Sequence, residues 1–122
     1  MWRLKPKIDL SKLGNMKTGE MNETEKAYAW ILDARKHKGE ILHYEYEAHK
    51  LRLADGCWYI VDFMVYTAPD GVMEIHEVKG PFVREDSIIK LKGIAEKYPF
   101  PVFLCQNKKR NTTQFEISRI GR

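Results

Sequence analysis

Two carboxylates and a lysine stand inside segments whose other residues are typical of β-strands. Asp62 interrupts residues 59–65, which are mostly aromatic or β-branched. A buried, unpaired charge in such a run is costly, so we expect Asp62 at a cleft, on an exposed face or beside a partner. Within residues 73–79, Glu77 and Lys79 share one face because side chains alternate along a strand. A hairpin between the two segments can bring Asp62 beside Glu77.

These residue types suit metal-assisted hydrolysis of a phosphodiester. Asp62, Glu77 and the backbone carbonyl of Val78 offer oxygen ligands to a hard cation such as Mg²⁺ or Mn²⁺. Lys79 could orient or help deprotonate the attacking water and stabilise charge in the transition state. The alternative is a solvated strand face, on which Glu77 and Lys79 form an ion pair worth less than about 1 kcal/mol. The E-x-K spacing is short and common, so by itself it favours the solvated strand face over the nuclease.

The composition indicates a small folded domain. Of 122 residues, 43% are hydrophobic and 31% are charged, which argues against disorder and membrane insertion and favours one domain with its own core. The sequence contains no apolar run of the roughly 20 residues that a membrane helix needs. Charges also interrupt residues 1–13, where a signal peptide would be apolar, so we expect a cytoplasmic location. The net charge of +4 permits a polyanionic partner.

Basic residues concentrate in regions that could flank one site. Residues 1–21 show little periodicity and are predicted to be a basic N-terminal arm, ahead of a single domain over residues 22–122. The basic residues of the arm are Arg3, Lys5, Lys7, Lys12 and Lys17. The candidates for phosphate contact in the domain are Arg84, Lys90, Lys92, Lys108, Lys109 and Arg110. For those around the second predicted helix, solvated helix charges are the alternative.

Hydrophobic periodicity predicts an α/β fold. Apolar residues at helical spacing predict a first helix from Asn22 to about Gly39, with Trp30 in the core. Turn residues at 54–56 and 69–71 predict two consecutive antiparallel hairpins. Trp58, after the first of these turns, is also predicted to lie in the core.

A second helix and a final strand complete the predicted order. The second apolar stripe spans residues 88–95, with Asp86 as N-cap and Pro99 beyond the end. The apolar residues 102–105 predict a buried parallel strand, and residues 115–117 an edge strand. The whole is a helix, an antiparallel three-strand meander, a helix and a strand, in a mixed sheet flanked by helices.

Four short segments, in order along the chain, carry a resemblance to a known family. They are ETEKAYAW (23–30), LRLADG (51–56), YIVDF (59–63) and HEVKG (76–80). Over about residues 22–105 the chain resembles small phage and prophage endonuclease-I-like, Holliday-junction-resolvase-like proteins of the PD-(D/E)xK nuclease superfamily. The resemblance implies a restriction-endonuclease-like core and a metal-dependent DNA endonuclease that uses Mg²⁺ or Mn²⁺. It also implies a phage or prophage protein in a bacterial host.

The family pattern assigns roles to individual residues. It places Asp62 and Glu77 on the metal and Lys79 at the attacking water. Glu25 matches the first-helix glutamate that can complete the acidic cluster. Asn22 and Glu25 also have the spacing of a helix capping box, so Glu25 has a structural alternative. Val61 departs from the PD-(D/E)xK pattern, which has a proline directly before the aspartate that corresponds to Asp62.

The resemblance implies DNA as the substrate, with branched DNA preferred. Because a short chain offers one site, cutting both strands favours a homodimer. One alternative is a non-catalytic nucleic-acid-binding module of the same fold, which would bind DNA without requiring a metal. A second is a structural phage protein, which would neither bind DNA nor hold a metal.

Overall fold

The fold is α/β, with helices on both faces of a mixed sheet. A computed structural model describes residues 19–109 and 112–121. The helices of this part are α1 (Glu23–His37) and α2 (Glu85–Lys97). Its strands are β1 (Ile41–Tyr46), β2 (Lys50–Ala54), β3 (Cys57–Ile60), β4 (Phe63–Thr67), β5 (Val72–Lys79), β6 (Val102–Gln106) and β7 (Glu116–Ile120). Residues 1–18 of the predicted arm lie outside the described residues.

Five strands form the main sheet in the order β1-β4-β5-β6-β7. β1, β4 and β5 are antiparallel neighbours, β6 is parallel to β5, and β7 is antiparallel to β6. Neighbouring residues of β4 belong to different core clusters, since Met64 packs with Leu91 of α2 and Val65 packs with Leu32 of α1. The two helices therefore cover opposite faces. The predicted mixed sheet and buried parallel strand are confirmed.

A separate hairpin of β2 and β3 is inserted between β1 and β4. Both predicted hairpins form, β2 with β3 and β4 with β5. They belong to different sheets, because β1 pairs with β4 and Tyr46 lies opposite Phe63, so the predicted three-strand meander is wrong at this point. The cause is a break in the predicted strand 57–66. Val61 and Asp62 separate β3 from β4, and the Val61 N–H donates to the His49 carbonyl at 2.9 Å. The three antiparallel strands of the main sheet are thus not consecutive along the chain.

Helix α1 begins and ends close to its predicted limits. Asn22 caps it in a capping box with Glu25, and Gly39, with φ 81°, follows its end. Its sheet-facing side includes Tyr28 and Leu32. This side is rotated away from the predicted apolar stripe, which contains Trp30. Trp30 consequently lies on the outer side and is 63% exposed, so its predicted core position is wrong.

Helix α2 begins two residues earlier than the predicted N-cap, Asp86, requires. Arg84 is its N-cap residue and makes no side-chain capping hydrogen bond. Asp86 lies in the first turn, where its Oδ2 forms an ion pair with Arg84 Nη2 at 3.2 Å. The prediction of Asp86 as N-cap is therefore wrong. In the described part of the chain, neither helix has the length and apolar character needed to cross a membrane.

Candidate active site

Asp62 lies in the link between β3 and β4, beside the end of β5. The pairing of β4 with β5 stops where Phe63 meets His76, and beyond that point β5 faces Asp62. The Val78 N–H donates to Asp62 Oδ2 at 2.9 Å. Asp62 thus takes the place of a further β4 residue and lies next to the segment that carries Glu77 and Lys79.

Glu77 and Lys79 share the α2 face of β5, as side-chain alternation predicts. Glu77 is buried, and its Oε2 lies 3.2 Å from Lys79 Nζ. The Tyr59 hydroxyl donates to Glu77 Oε1 at 2.5 Å. On the opposite face, His76 is buried with its Nδ1 2.6 Å from the Tyr28 hydroxyl. His76 is therefore part of the packing beneath α1, and on β5 the candidate residues Glu77 and Lys79 lie on the other face.

The Val78 carbonyl lies on the same edge of β5 as Asp62. The Ile75 N–H donates to the Pro101 carbonyl, and the Lys79 carbonyl accepts from the Asn107 N–H. Both hydrogen bonds lie on the β6 side of β5. The backbone N–H and C=O groups of successive residues in a strand point to opposite edges. The Val78 carbonyl therefore points away from β6, toward the edge where its own N–H meets Asp62.

Three acidic side chains converge from separate parts of the chain. Glu25, Glu47 and Asp62 each place a carboxylate oxygen within 4.8 Å of the other two. Glu25 is at once a helix cap and a member of this group, because its Oε1 accepts from the Asn22 N–H at 3.0 Å and from the Tyr46 hydroxyl at 2.8 Å. Glu25 thus forms the capping box with Asn22 and also lies beside Asp62 in this acidic group.

Glu47 was missed by the sequence analysis. It follows β1 in a left-handed conformation, with φ 48°, and its N–H donates to the Asp62 carbonyl at 2.9 Å. No local motif marks it, because its place in the group depends on the pairing of β1 with β4. Among the described residues, Glu77 is not part of the three-carboxylate group.

Burial and a neighbouring carboxylate disfavour the charged form of Asp62. Burial and the neighbouring charge of Glu77 raise the pKa of Asp62 well above its ordinary value, and Glu25 acts in the same direction. The Val78 N–H and the Lys79 ammonium oppose the shift without cancelling it. A concentrated set of carboxylate oxygens with insufficient cationic balance fits a hard divalent cation.

Burial also keeps Tyr59 neutral beside Glu77. Burial and then the charge of Glu77 raise the pKa of the Tyr59 hydroxyl above its ordinary value. The hydroxyl therefore remains a donor, and together with Lys79 it holds one carboxylate orientation of Glu77.

The basic loop after β6 lies at the same end of β5, on its β6 side. Its first residue, Asn107, is buried and donates its N–H to the Lys79 carbonyl at 2.8 Å. Lys108 and Lys109 follow directly and are exposed, with Lys108 Nζ 3.0 Å from Glu116 Oε1. Arg110 lies outside the described residues.

A polar cleft of about 330 Å³ opens between this loop, the chain after β5 and the first turn of α1. Its lining residues are Glu23, Thr24, Ala27, Gly80, Pro81, Asn107 and Thr112. Gly80 follows Lys79 in the chain, but Asp62, Glu77 and Lys79 do not line the cleft.

The basic residues around α2 divide between the two ends of the molecule. Arg84 is exposed at the start of α2, near the end of β5. Lys90 is half-buried in the second turn. Lys92 lines a depression with Gly121, which follows the part of β7 paired with the start of β6. Because Lys79 pairs with the other end of β6, the structure does not bring Lys92 to the candidate site.

A scan of protein-family models and searches of curated proteins and of solved structures give no match for this chain.

Proposed function

We propose that this chain is a metal-dependent DNA endonuclease that uses Mg²⁺ or Mn²⁺, with Asp62, Glu77 and Lys79 at its catalytic centre. The observation that carries the proposal is the hydrogen bond from the Val78 N–H to Asp62 Oδ2. Val78 stands between Glu77 and Lys79, so this bond supports a site in which the three side chains meet at the end of β5.

We also propose that the core is restriction-endonuclease-like, as the resemblance implies. Supporting observations are α1 ahead of three antiparallel strands, the α2 crossover and the parallel strand β6. The inserted β2–β3 hairpin is an addition to that order.

Asp62 is the central ligand in this proposal. We propose that it acts with Glu77, whose charge raises its pKa, and with the Val78 carbonyl, while Glu25 and Glu47 bring further carboxylate oxygens within 4.8 Å of it. A bound divalent cation supplies Lewis acidity to the phosphate and lowers the pKa of a coordinated water. The chain's own contribution is to hold several carboxylates together at the sheet edge.

Lys79 positions the attacking water and stabilises the phosphate. Its side chain is 30% exposed while its Nζ remains 3.2 Å from Glu77 Oε2, so it can contact both the carboxylate and a ligand. During hydrolysis the water oxygen forms a bond to phosphorus as the bond to the leaving sugar oxygen breaks. Negative charge that develops on the phosphate oxygens is stabilised by the ammonium group.

Cleavage of labelled four-way junction, linear duplex and single-stranded DNA tests the proposal. Wild type, Glu77→Ala and Lys79→Ala are compared in Mg²⁺, Mn²⁺ and EDTA. We expect cutting that requires metal and falls by about 100-fold or more in both variants. Glu74→Gln is the matched control, because Glu74 lies on the same strand but on the His76 face, 3.0 Å from His76 Nε2.

The other outcomes separate the alternatives. DNA binding without cutting in every metal would identify a non-catalytic binding module. Neither binding nor cutting would favour a structural protein. Equal cutting by wild type and both variants would show that the active site lies elsewhere.

A further inference from the structure

The β2–β3 hairpin has one exposed face that combines aromatic, aliphatic and cationic side chains. We define the hairpin platform as Lys50, Arg52, Trp58 and Ile60. Arg52 lies opposite Trp58, and Lys50 lies opposite Ile60. Lys50 Nζ is 5.1 Å from the centroid of the indole. Trp58 is 45% exposed, so its predicted core position is wrong.

The inner face of the same hairpin is firmly packed. Leu51, Leu53 and Tyr59 join the core cluster that includes residues of α2. The Tyr98 hydroxyl also donates to the Arg52 carbonyl at 2.6 Å. The platform is therefore the outer surface of an anchored element, and Trp58 is exposed because its neighbour Tyr59 points inward.

The hairpin links the platform directly to the candidate active site. Tyr59 donates to Glu77 Oε1 from the inner face, and Trp58 stands next to it in β3 on the outer face. Ile60 is followed, after Val61, by Asp62. A polynucleotide with one phosphate near Asp62 can therefore place a neighbouring nucleotide on the platform.

We propose that the hairpin platform binds unpaired nucleotides of a DNA strand next to the bond that is cut. This inference rests on the proposed nuclease function and deepens it by naming the substrate class as DNA with a single-stranded segment, such as a fork or flap. A base stacks on the Trp58 indole, since every base has a π-face and such stacking tolerates any sequence. Lys50 and Arg52 neutralise the adjoining phosphates.

The combination of side chains favours an unpaired strand over a duplex. In a duplex, each base face is already covered by its neighbours in the stack, so an exposed indole meets only the backbone or the groove. The cations alone would serve either form, because phosphate contacts carry no information on base pairing. The exposed indole between them is what distinguishes the two substrates.

Binding of a fluorescein-labelled 12-nucleotide single strand and of the matching duplex, measured by anisotropy in EDTA, tests the inference without the metal. We expect Trp58→Ala to weaken single-strand binding about tenfold while changing duplex binding by less than about twofold. Trp58→Phe should retain most of the affinity, because it keeps an aromatic face. Trp30→Ala is the matched control, since Trp30 is also exposed but lies on the outer side of α1.

Thermal unfolding of each variant verifies that it is folded. Single-strand binding by Trp58→Ala equal to that of wild type would overturn the inference, as would an equal loss in Trp30→Ala. A parallel cleavage assay in Mg²⁺ keeps the two proposals distinguishable. Metal-dependent cutting with binding that does not depend on Trp58 removes the platform and leaves the nuclease. Trp58-dependent binding by a wild type that never cuts removes the nuclease and leaves a single-strand-binding surface.

Discussion

Asp62, in the link before β4, and Glu45, on the neighbouring strand β1, are carboxylates with opposite electrostatic surroundings. Glu45, on β1, accepts from the Tyr66 hydroxyl at 2.7 Å and has His49 Nε2 at 2.6 Å. Hydrogen bonds from Tyr66 and then His49 lower the pKa of Glu45 below its ordinary value. Burial and the charge of Glu77 raise the pKa of Asp62.

The difference lies in the balance of donors and acids around each group. The Glu45 cluster is satisfied by the chain's own tyrosine and histidine, so it can serve the structure without a ligand. Asp62 receives the Val78 N–H but shares its surroundings with Glu25, Glu47 and Glu77. An added cation would therefore stabilise the acidic group around Asp62 much more than the cluster around Glu45.

The largest expected effect is on cleavage. Asp62→Asn keeps an oxygen that can accept the Val78 N–H but removes the charge that holds a metal, so we expect about a 100-fold or greater loss of rate. Glu45→Gln is the matched change in the satisfied cluster and should stay within about twofold of wild type. Initial rates on the best-cut DNA substrate measure both, and equal losses would contradict the comparison.

A pair of tyrosines sharpens the comparison. Tyr59 donates to Glu77 and Tyr66 donates to Glu45, each through its hydroxyl. We expect Tyr59→Phe to weaken metal affinity about tenfold, because the hydroxyl positions a proposed ligand. Tyr66→Phe should leave that affinity unchanged. Titration of cleavage rate against Mn²⁺ concentration separates lower affinity from lower maximal rate, and a purely structural role for Tyr59 would leave the Mn²⁺ midpoint in place.

Metal addition should stabilise the folded chain through the Asp62 cluster. At ten times its Kd, a cation that binds only the folded state adds about 1.4 kcal/mol, which raises the unfolding midpoint by roughly 5 °C. Glu45→Gln should show the same rise and Asp62→Asn should not. Calorimetry with and without Mg²⁺ measures it. A full rise in Asp62→Asn would place the metal elsewhere.

The smallest expected effect concerns the pH dependence of stability through Glu45. Because the folded pKa of Glu45 is lowered, its charged form stabilises the fold above the ordinary pKa. That contribution is lost as the pH falls from about 5 through the lowered pKa. Glu45→Gln should cost roughly a few tenths of a kcal/mol near pH 6, because the group is partly exposed. Denaturant unfolding should show the gap to wild type closing as the pH falls.

Local chemistry made much of the fold predictable. Asn22 and Glu25 are spaced as a capping box and form one, and the turn at 54–56 closes the predicted hairpin. The apolar run 102–105 became the parallel strand β6. Each of these depends on residues close together in sequence or on burial of a whole segment.

The two wrong core positions, Trp30 and Trp58, concerned which side of an element faces the core. Helix α1 has enough apolar residues for either of two stripes, and packing against β4 selected the one with Leu32 and left Trp30 outside. Strand β3 ends at Ile60 because Val61 and Asp62 leave the ladder. Its alternation then places Tyr59 inside and Trp58 outside, which residue type alone does not decide.

The sequence by itself determined that Glu77 and Lys79 share a face, because alternation along a strand is a local property of the backbone. Only the tertiary structure decided that Asp62 meets Val78 and that Glu25 and Glu47 approach it. These meetings depend on strand register and on helix packing between distant segments. Register is set by burial across the whole sheet, so no short motif contains it.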